Sequence, residues 1–162
     1  MTSAISIEIK GLKELQRKTE QMVQDLHGAP MLDAMRDSTL LVERKARQNA
    51  PVDTGRLRAS ILPEIRATSD EVLGVVGSNV AYAPYMELGT GIFAGRQRHR
   101  PPGGALELWA SRHGGGSGYA VAFAISKKGG LKPRRFLQRA FEDSEAAINR
   151  RFERAVTEVV EK

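Results

Sequence analysis

The chain has 162 residues, no cysteine and a formal net charge of +6. Domains of roughly 100–150 residues are the common size, so one domain is expected. The absence of cysteine excludes disulfide frameworks, thiol nucleophiles and thiolate-bound metal clusters. The sequence also lacks a run of about 18 apolar residues that would cross a membrane, and its first residues do not resemble a signal peptide. We therefore expect a soluble, unexported chain.

The positive charge is concentrated in one segment. Between Leu88 and Phe141 there are ten basic residues and a single acid, Glu107, which gives this stretch a net charge of +9 and leaves −3 for the other 108 residues. The same stretch holds 11 of the 16 glycines. The sequence thus predicts a basic, glycine-rich segment set into a mildly acidic domain. A solvated, flexible loop is one interpretation of it.

The first third of the chain predicts a strand followed by two helices. Alternating isoleucines favour a strand over residues 3–10. Apolar residues at helical spacing predict a helix from Leu12 to Leu26 and another from Met31 to about Gln48, which Asn49-Ala50-Pro51 ends. These are either two separate helices or one long helix that kinks near Gly28-Ala29-Pro30.

A turn and two strands are predicted next. Asp53-Thr54-Gly55 favours a turn, because Asp bonds to nearby backbone and Gly tolerates positive φ. Alternation from Leu57 onward predicts a strand, which Pro63 places at a sheet edge or a bulge. Glu71–Gly77 predicts its more buried partner, with a turn at residues 67–70, so that the two form a β-hairpin.

The rest of the pattern is mainly helical. Residues 81–88 predict a short apolar helix that Gly89-Thr90-Gly91 ends, and residues 105–111 predict another. Residues 119–126 alternate like a strand, yet their interleaved alanines suit a helix, so periodicity leaves both open. From Pro133, placed in the first turn, the apolar stripe predicts one amphipathic helix of about 35–40 Å.

These elements together predict an α+β fold. A small antiparallel sheet is packed by long N-terminal and C-terminal helices, and a long, basic, glycine-rich loop interrupts the order of elements.

Signals for catalysis or metal binding are weak. Asp53-Thr54-Gly55 is the triplet of aspartic proteases, in which two carboxylates share a proton, so a single copy would require a homodimer. Here the triplet follows a helix end instead of an apolar strand, which favours a structural turn. The three histidines have no second ligand at metal-binding spacing. We therefore expect no catalytic residue, no metal ion and no cofactor.

Two basic clusters are the most prominent feature of the glycine-rich segment. The first comprises Arg96, Arg98 and Arg100; the second comprises Lys127, Lys128, Lys132, Arg134 and Arg135. Basic loops neutralise phosphates without reading bases, because the attraction comes from counterion release. The clusters therefore predict either contact with a DNA backbone or an assembly arm that binds acidic surfaces of neighbouring proteins.

Three blocks of sequence carry a family resemblance. They are APVDTGRLRASI at residues 50–61, VGSNVAYAPYMELGTG at residues 76–91 and KPRRFLQRAF at residues 132–141. In order and spacing they resemble the neck and tail-completion proteins of long-tailed bacteriophages and prophages, also named head–tail joining or minor tail proteins. The likeness covers nearly the whole chain.

The resemblance implies a non-enzymatic structural subunit of the virion that is assembled in the host cytoplasm. It implies a ring, with a hexamer as the expected order, at the joint between the capsid connector and the tail tube. The implied partners are further copies of the chain, connector or stopper proteins, and tail terminator or tail tube proteins. Genomic double-stranded DNA would pass through the lumen with backbone contact alone, and no membrane is involved. A free, sequence-independent DNA-binding module and a homodimeric aspartic protease using Asp53 are the alternatives.

The resemblance also implies roles for individual residues. The turn that sets the hairpin would be Asp53, Thr54, Gly55 and Arg56. The short helix packed on the sheet would contain Tyr82, Pro84, Tyr85 and Glu87, with Gly89 and Gly91 at its end. Pro133 and Phe136 would dock the last helix. In shorter members the last two blocks lie closer together, so we expect a single domain over residues 1–162 with a loop insertion at residues 92–131, here called the insertion. It would face DNA, a neighbouring subunit or the tail tube.

Overall fold

The computed structural model describes residues 12–26, 28–68 and 71–161. The predicted strand at residues 3–10 lies outside the described residues. The helices are α1 (Leu12–Leu26), α2 (Ala29–Asn49), α3 (Arg56–Ala59), α4 (Ala83–Leu88), α5 (Glu107–Arg112), α6 (Gly118–Lys127), α7 (Phe136–Glu142) and α8 (Glu145–Val160). The strands are β1 (Ile61–Ala67) and β2 (Val72–Ser78), and two 3-10 helices span Gly91–Ala94 and Gly103–Leu106.

α1 and α2 are two separate helices, which decides between the two N-terminal alternatives. Gly28 has extended backbone at the start of α2, and Pro30 occupies the first turn, where a missing N–H breaks no helical hydrogen bond. α2 ends at Ala50, whose backbone is extended before Pro51, as expected for a residue that precedes proline.

The segment that follows α2 differs from the predicted strand. Gly55 has a φ of +81°, which favours glycine, and it opens the single turn of α3. The strand prediction is therefore wrong for residues 57–59, and β1 begins at Ile61. Leu57 and Ile61 are both buried, and their spacing of four residues fits one helical turn as well as it fits alternation.

The predicted hairpin is confirmed. β1 and β2 form a two-stranded antiparallel sheet in which Ile61 faces Ser78 and Ala67 faces Val72. The Thr68 N–H donates to the carbonyl of Glu71 at 2.8 Å, so the hairpin turn lies there, within residues 67–72. The Asp53-Thr54-Gly55 turn leads instead into α3, so it is not the turn that joins the two strands.

One hydrophobic core joins α2, the hairpin, α4 and α7. Its buried members are Val42, Ala46, Ala50, Leu57, Ile61, Ala83, Phe136 and Ala140. Phe136 is the largest side chain that is fully buried, and a side chain of this kind contributes about 1.5–3 kcal/mol on burial.

The C-terminal region forms two helices, so the prediction of one long helix is wrong. The break lies between α7 and α8 at Asp143-Ser144. Ser144 is fully buried, and its Oγ donates to the carbonyl of Ala140 at 2.6 Å. A serine hydroxyl that bonds locally to backbone competes with regular helix geometry. Pro133 precedes α7 by three residues, so it is not in the first turn.

The insertion, expected to be a loop, is largely helical. It contains most of the first 3-10 helix, the second one, α5 and α6. The helix predicted at residues 105–111 is confirmed as α5 with the 3-10 turn that precedes it. Residues 119–126, for which periodicity left strand and helix open, are helical and belong to α6. Ser117 caps α6, because its Oγ accepts the N–H of Ala120 at 3.3 Å, and alanine has the highest helix propensity.

Candidate functional site

The two ends of the insertion are tied together at its base. The Thr90 N–H donates to the carbonyl of Leu131, and the Leu131 N–H donates back to Thr90 Oγ1, both at 2.9 Å. The Ile92 N–H donates to the carbonyl of Gly129 at 3.0 Å. Gly91 has a φ of +62°, and a Cβ there would collide with the Gly129 carbonyl, so this position requires glycine. The insertion therefore leaves and re-enters the core at one place.

The interior of the insertion is packed with small residues. Ala110 of α5 and Ala122 of α6 are fully buried. Gly118 lies against the backbone of Gly103 and Glu107, and its N–H donates to Glu107 Oε2 at 2.7 Å. The close approach of backbones leaves the larger side chains of this segment on its outside.

The structure brings the two predicted basic clusters together. The His99 N–H, between Arg98 and Arg100, donates to the carbonyl of Gly129, the residue after Lys128, at 3.4 Å. Lys128 and Lys132 also line one shallow groove with Phe93 and Gly130. Clusters about thirty positions apart in sequence thus form one surface.

All eight of the predicted basic residues are exposed. Within the described parts of the chain, none of them forms an ion pair with a carboxylate. Two lysines contact aromatic rings: Lys127 Nζ lies 5.8 Å from the Phe123 ring centre and Lys132 Nζ lies 6.0 Å from that of Phe93. Such cation–π contacts position a cation without neutralising it. The surface therefore remains available to an anionic partner.

Glu87 connects α4 to α7. Its Oε2 accepts the N–H of Leu137 and its Oε1 accepts that of Gln138, both at 2.9 Å. The backbone adds two further bonds, from the Arg134 N–H to the Met86 carbonyl at 2.8 Å and from the Arg135 N–H to the Glu87 carbonyl at 3.2 Å. A carboxylate at a helix N-terminus satisfies amides that have no partner inside the helix. Glu87 therefore docks α7 onto the core.

Arg135 and Gly89 adopt special backbone at this junction. Arg135 has a φ of +51° and is the one non-glycine residue with positive φ among those described. Gly89 has a φ of +76°, and a Cβ there would lie 2.6 Å from the Leu131 carbonyl oxygen and 2.9 Å from Pro133 Cδ. Gly89 and Pro133, predicted from separate sequence blocks, thus pack against each other.

Tyr82, which precedes α4, and Tyr85 within α4 face outward. Ala83 is buried in the core, with Met86 packed against it, whereas Tyr82 and Tyr85 are 40% and 57% exposed. α4 therefore joins the core through its small and flexible residues, and its aromatic residues lie on the surface beside Pro84.

Asp53 contacts the insertion. Its Oδ2 lies 2.8 Å from an Arg112 guanidinium nitrogen, and its Oδ1 lies 3.7 Å from His113 Nε2. His113 stacks on Trp109 with ring centres 4.3 Å apart, and its Nδ1 lies 2.9 Å from the Trp109 carbonyl oxygen. The Asp53 carboxylate thus faces the Arg112 guanidinium, whereas in an aspartic protease it would face a second carboxylate.

The comparisons with known proteins bear on the first half of the chain. Residues 10–89 match the family model described as "Bacteriophage HK97-gp10, putative tail-component". These residues are similar to that family of phage tail components. The family resemblance stated from the sequence is thereby confirmed over residues 10–89, and it implies a structural role in the tail, within the virion. No curated protein and no solved structure gave a match.

The region that matches the family model ends at the base of the insertion. It extends to Gly89, one residue before Thr90 pairs with Leu131. The insertion and the docked helices α7 and α8 lie beyond it.

Residues 12–26, 28–68 and 71–161 contain no group of three or more His, Asp or Glu side chains suited to hold a metal ion. Among these residues, no helix has the length and apolar character of a membrane span.

Some residues of the site carry no local sequence signal. Arg112 and Asp53 are 59 positions apart, and Glu87 and Gln138 are 51 apart. Only the tertiary fold brings these pairs together, whereas the basic clusters are evident from composition.

Proposed function

We propose that this chain is a structural subunit of the phage neck that forms a ring at the head–tail joint and completes or connects the tail. The match of residues 10–89 to a tail-component family supports a structural role. The expected order is a hexamer that assembles in the host cytoplasm. The proposed partners are neighbouring copies, the connector or stopper proteins, and the tail terminator or tail tube proteins. The chain is proposed to be a single domain with residues 92–131 as an insertion.

The observation that carries a DNA-facing role is the unpaired basic surface. The backbone of His99, between Arg98 and Arg100, bonds to Gly129, the residue after Lys128, and no carboxylate of the described residues forms an ion pair with these three side chains. In a ring this surface recurs in every subunit and creates a zone of positive potential. We propose that the zone faces double-stranded DNA in the lumen and contacts its backbone alone, because counterion release requires no base contact.

Electron microscopy of the purified protein, alone and together with tails, tests the ring and its position. We expect closed rings, and we expect the protein at the head-proximal end of the tail. Particles that lack the protein, or that carry it at the distal tip, would contradict the neck role.

A triple variant tests the DNA-facing surface. Arg96→Ala, Arg98→Ala and Arg100→Ala should leave assembly intact but impair retention and delivery of DNA. For each subunit that loses three phosphate contacts, the magnitude of the slope of log affinity against log salt falls by about 2.7. The matched control, Arg150→Ala, Arg151→Ala and Arg154→Ala, removes the same charge from α8 and should leave DNA binding unchanged.

The outcomes separate the remaining possibilities. If the insertion variant assembles and delivers DNA like the wild type, the DNA-facing role is wrong for these three arginines. Loss of the ring itself would show that the insertion is an assembly arm. Tight, salt-dependent binding of duplex DNA by the unassembled chain would favour a free DNA-binding module.

A further inference from the structure

α6 is apolar on both of its sides, although one side is exposed. Gly118 and Ala122 face the interior of the insertion and are buried. On the adjoining side, about 100° around the helix, Tyr119 packs against Gly103 with part of its ring and is 64% exposed, and Phe123, one turn later, is 55% exposed. A helix that is apolar all round is normally buried on all sides. Exposed aromatic side chains in such a position are typical of the centre of a protein interface.

The hairpin has a second uncovered apolar face. Its inner face packs on α2, where Gly74 is so close to Met35 and Thr39 that no side chain would fit. Because side chains alternate along a strand, the other face exposes Leu62, Leu73 and Val75, which are 56%, 43% and 41% exposed.

The two segments carry opposite net charges. Residues 118–128 include Lys127 and Lys128 and no acid, a net of +2, whereas the hairpin segment, residues 61–78, has a net of −2. On the hairpin, Glu71 is exposed, whereas Glu64 forms an ion pair with Arg66 at 2.9 Å on the same face, so that its charge is already compensated.

We propose that the outer face of α6 in one copy docks on the outer face of the β1–β2 hairpin of the next copy. The proposal deepens the proposed function, since it rests on the chain acting as a subunit of a homo-oligomer. Each copy offers both faces, apolar at the centre and on segments of opposite net charge. A contact between two different surfaces repeats head to tail, and it closes into a ring when the rotation between copies allows it.

The charges also argue against two other partners for the exposed face of α6, namely the α6 of a second copy and a DNA backbone. Pairing α6 with α6 would bring the Lys127-Lys128 ends of two copies towards one another when the helices run parallel, and like charges repel across an interface. A DNA backbone gains little from Tyr119 and Phe123, since its affinity for protein comes from cations.

Cross-linking between introduced cysteines tests the contact directly, because the natural chain contains no cysteine. In the double variant Val75→Cys and Phe123→Cys, a short bis-maleimide should join copies into a ladder of dimers and higher species. Each single variant should stay largely uncross-linked. The matched control combines Phe123→Cys with Val160→Cys, a residue on α8 that is 54% exposed, and should give no ladder.

Mixing two variants provides an independent test. Phe123→Glu places a charge on the outer face of α6, and Val75→Glu places one on the outer face of the hairpin, so that each face should no longer bind its partner. Each variant should weaken self-association about 30-fold, as expected for loss of a hot-spot residue. Mixed together, they should form a one-to-one dimer through the hairpin of the first and α6 of the second. Circular dichroism of each exposed-site variant should show the wild-type fold. Sedimentation velocity measures the association.

Three results would overturn this proposal. In the cross-linking test, the first is that Phe123→Cys alone forms cross-linked dimers at the yield of the double variant, and the second is that the double variant forms no cross-link either as free protein or in assembled tails. In the mixing test, the third is that the two glutamate variants form no dimer. If rings still form at the neck in these cases, the proposed function stands with another interface. If the contact is present but the protein is absent from necks, the proposed function fails while the contact stands.

Discussion

The core and the insertion bury different kinds of side chain. In the core, Leu57, Ile61 and Phe136 are at most 3% exposed, whereas the fully buried residues of the insertion are the alanines Ala110 and Ala122. The largest apolar side chains of the insertion face outward, among them Leu108 at 78% exposure. Since hydrophobic stabilisation scales with apolar area buried, the core obtains more of it per residue.

This difference indicates how the two regions divide their roles. The core is stabilised by its own packing, which suits a scaffold. The insertion is held by close backbone approach at glycines and by hydrogen bonds at its base, and many of its large apolar and basic side chains are exposed. Four substitutions test this division, ordered from the largest expected effect to the smallest.

Phe136→Ala should destabilise the protein most. It removes the largest fully buried side chain of the core, and a Phe→Ala change in a core costs about 3–5 kcal/mol. Chemical denaturation measures the loss. The control is Phe141→Ala in the same helix, where the ring is 54% exposed and the loss should be much smaller. Equal losses for the two variants would contradict the assignment of the core.

Gly118→Ala should loosen the insertion and leave the core folded. The added Cβ would collide with the Gly103 carbonyl and lie 2.7 Å from the Glu107 backbone nitrogen, and overpacking of this kind costs about 1–3 kcal/mol. Limited proteolysis should cut within residues 92–131 first. Gly104→Ala is the matched control, because nothing lies within 4 Å of a Cβ at that position. Simultaneous unfolding of both regions would show that the insertion and the core form one cooperative unit.

Glu87→Ala should weaken the docking of α7. It leaves the N–H groups of Leu137 and Gln138 without their acceptor, and loss of a helix cap costs about 0.5–2 kcal/mol. Thermal unfolding measures the effect. Glu142→Ala removes an exposed partner of Gln138 from the same helix and serves as the control, with little change expected. A larger loss for Glu142→Ala would contradict the capping role.

Asp53→Asn should have the smallest effect on stability. Its contact with Arg112 is partly exposed, and such ion pairs contribute about 0.2–1 kcal/mol. A double-mutant cycle with Arg112→Ala measures the coupling between the core and the insertion. The same variant tests the protease alternative, since a catalytic aspartate would lose all activity on conversion to asparagine. Zero coupling in the cycle would show that this tie does not hold the insertion.

The sequence predicted the elements with strong local patterns. α1, α2, the hairpin and α4 follow from periodicity and from the residues that end helices. The error at residues 57–59 arose because Leu57 and Ile61 fit both a strand and a helical turn. The helical state of α6 was left open for the same reason, and the Ser117 cap provides the local preference for helix.

Other features depend on contacts that are distant in sequence. The start of α7 depends on Glu87, which lies 50 positions before Leu137 in the sequence. No local pattern predicts this contact, because tertiary packing brings the two residues together. Likewise, the composition identified the basic clusters, whereas their meeting at Gly129 required the fold.

The paired backbone at Thr90 and Leu131 also has a consequence for sequence variation. Because the insertion starts and ends at hydrogen-bonded neighbours, the core provides two attachment points that stay in place whatever segment connects them. The entropy of closing such a segment rises only slowly with its length, by about 0.6 kcal/mol for each doubling. We therefore expect the core to tolerate a change in the length of the segment between Thr90 and Leu131 at a small cost in stability.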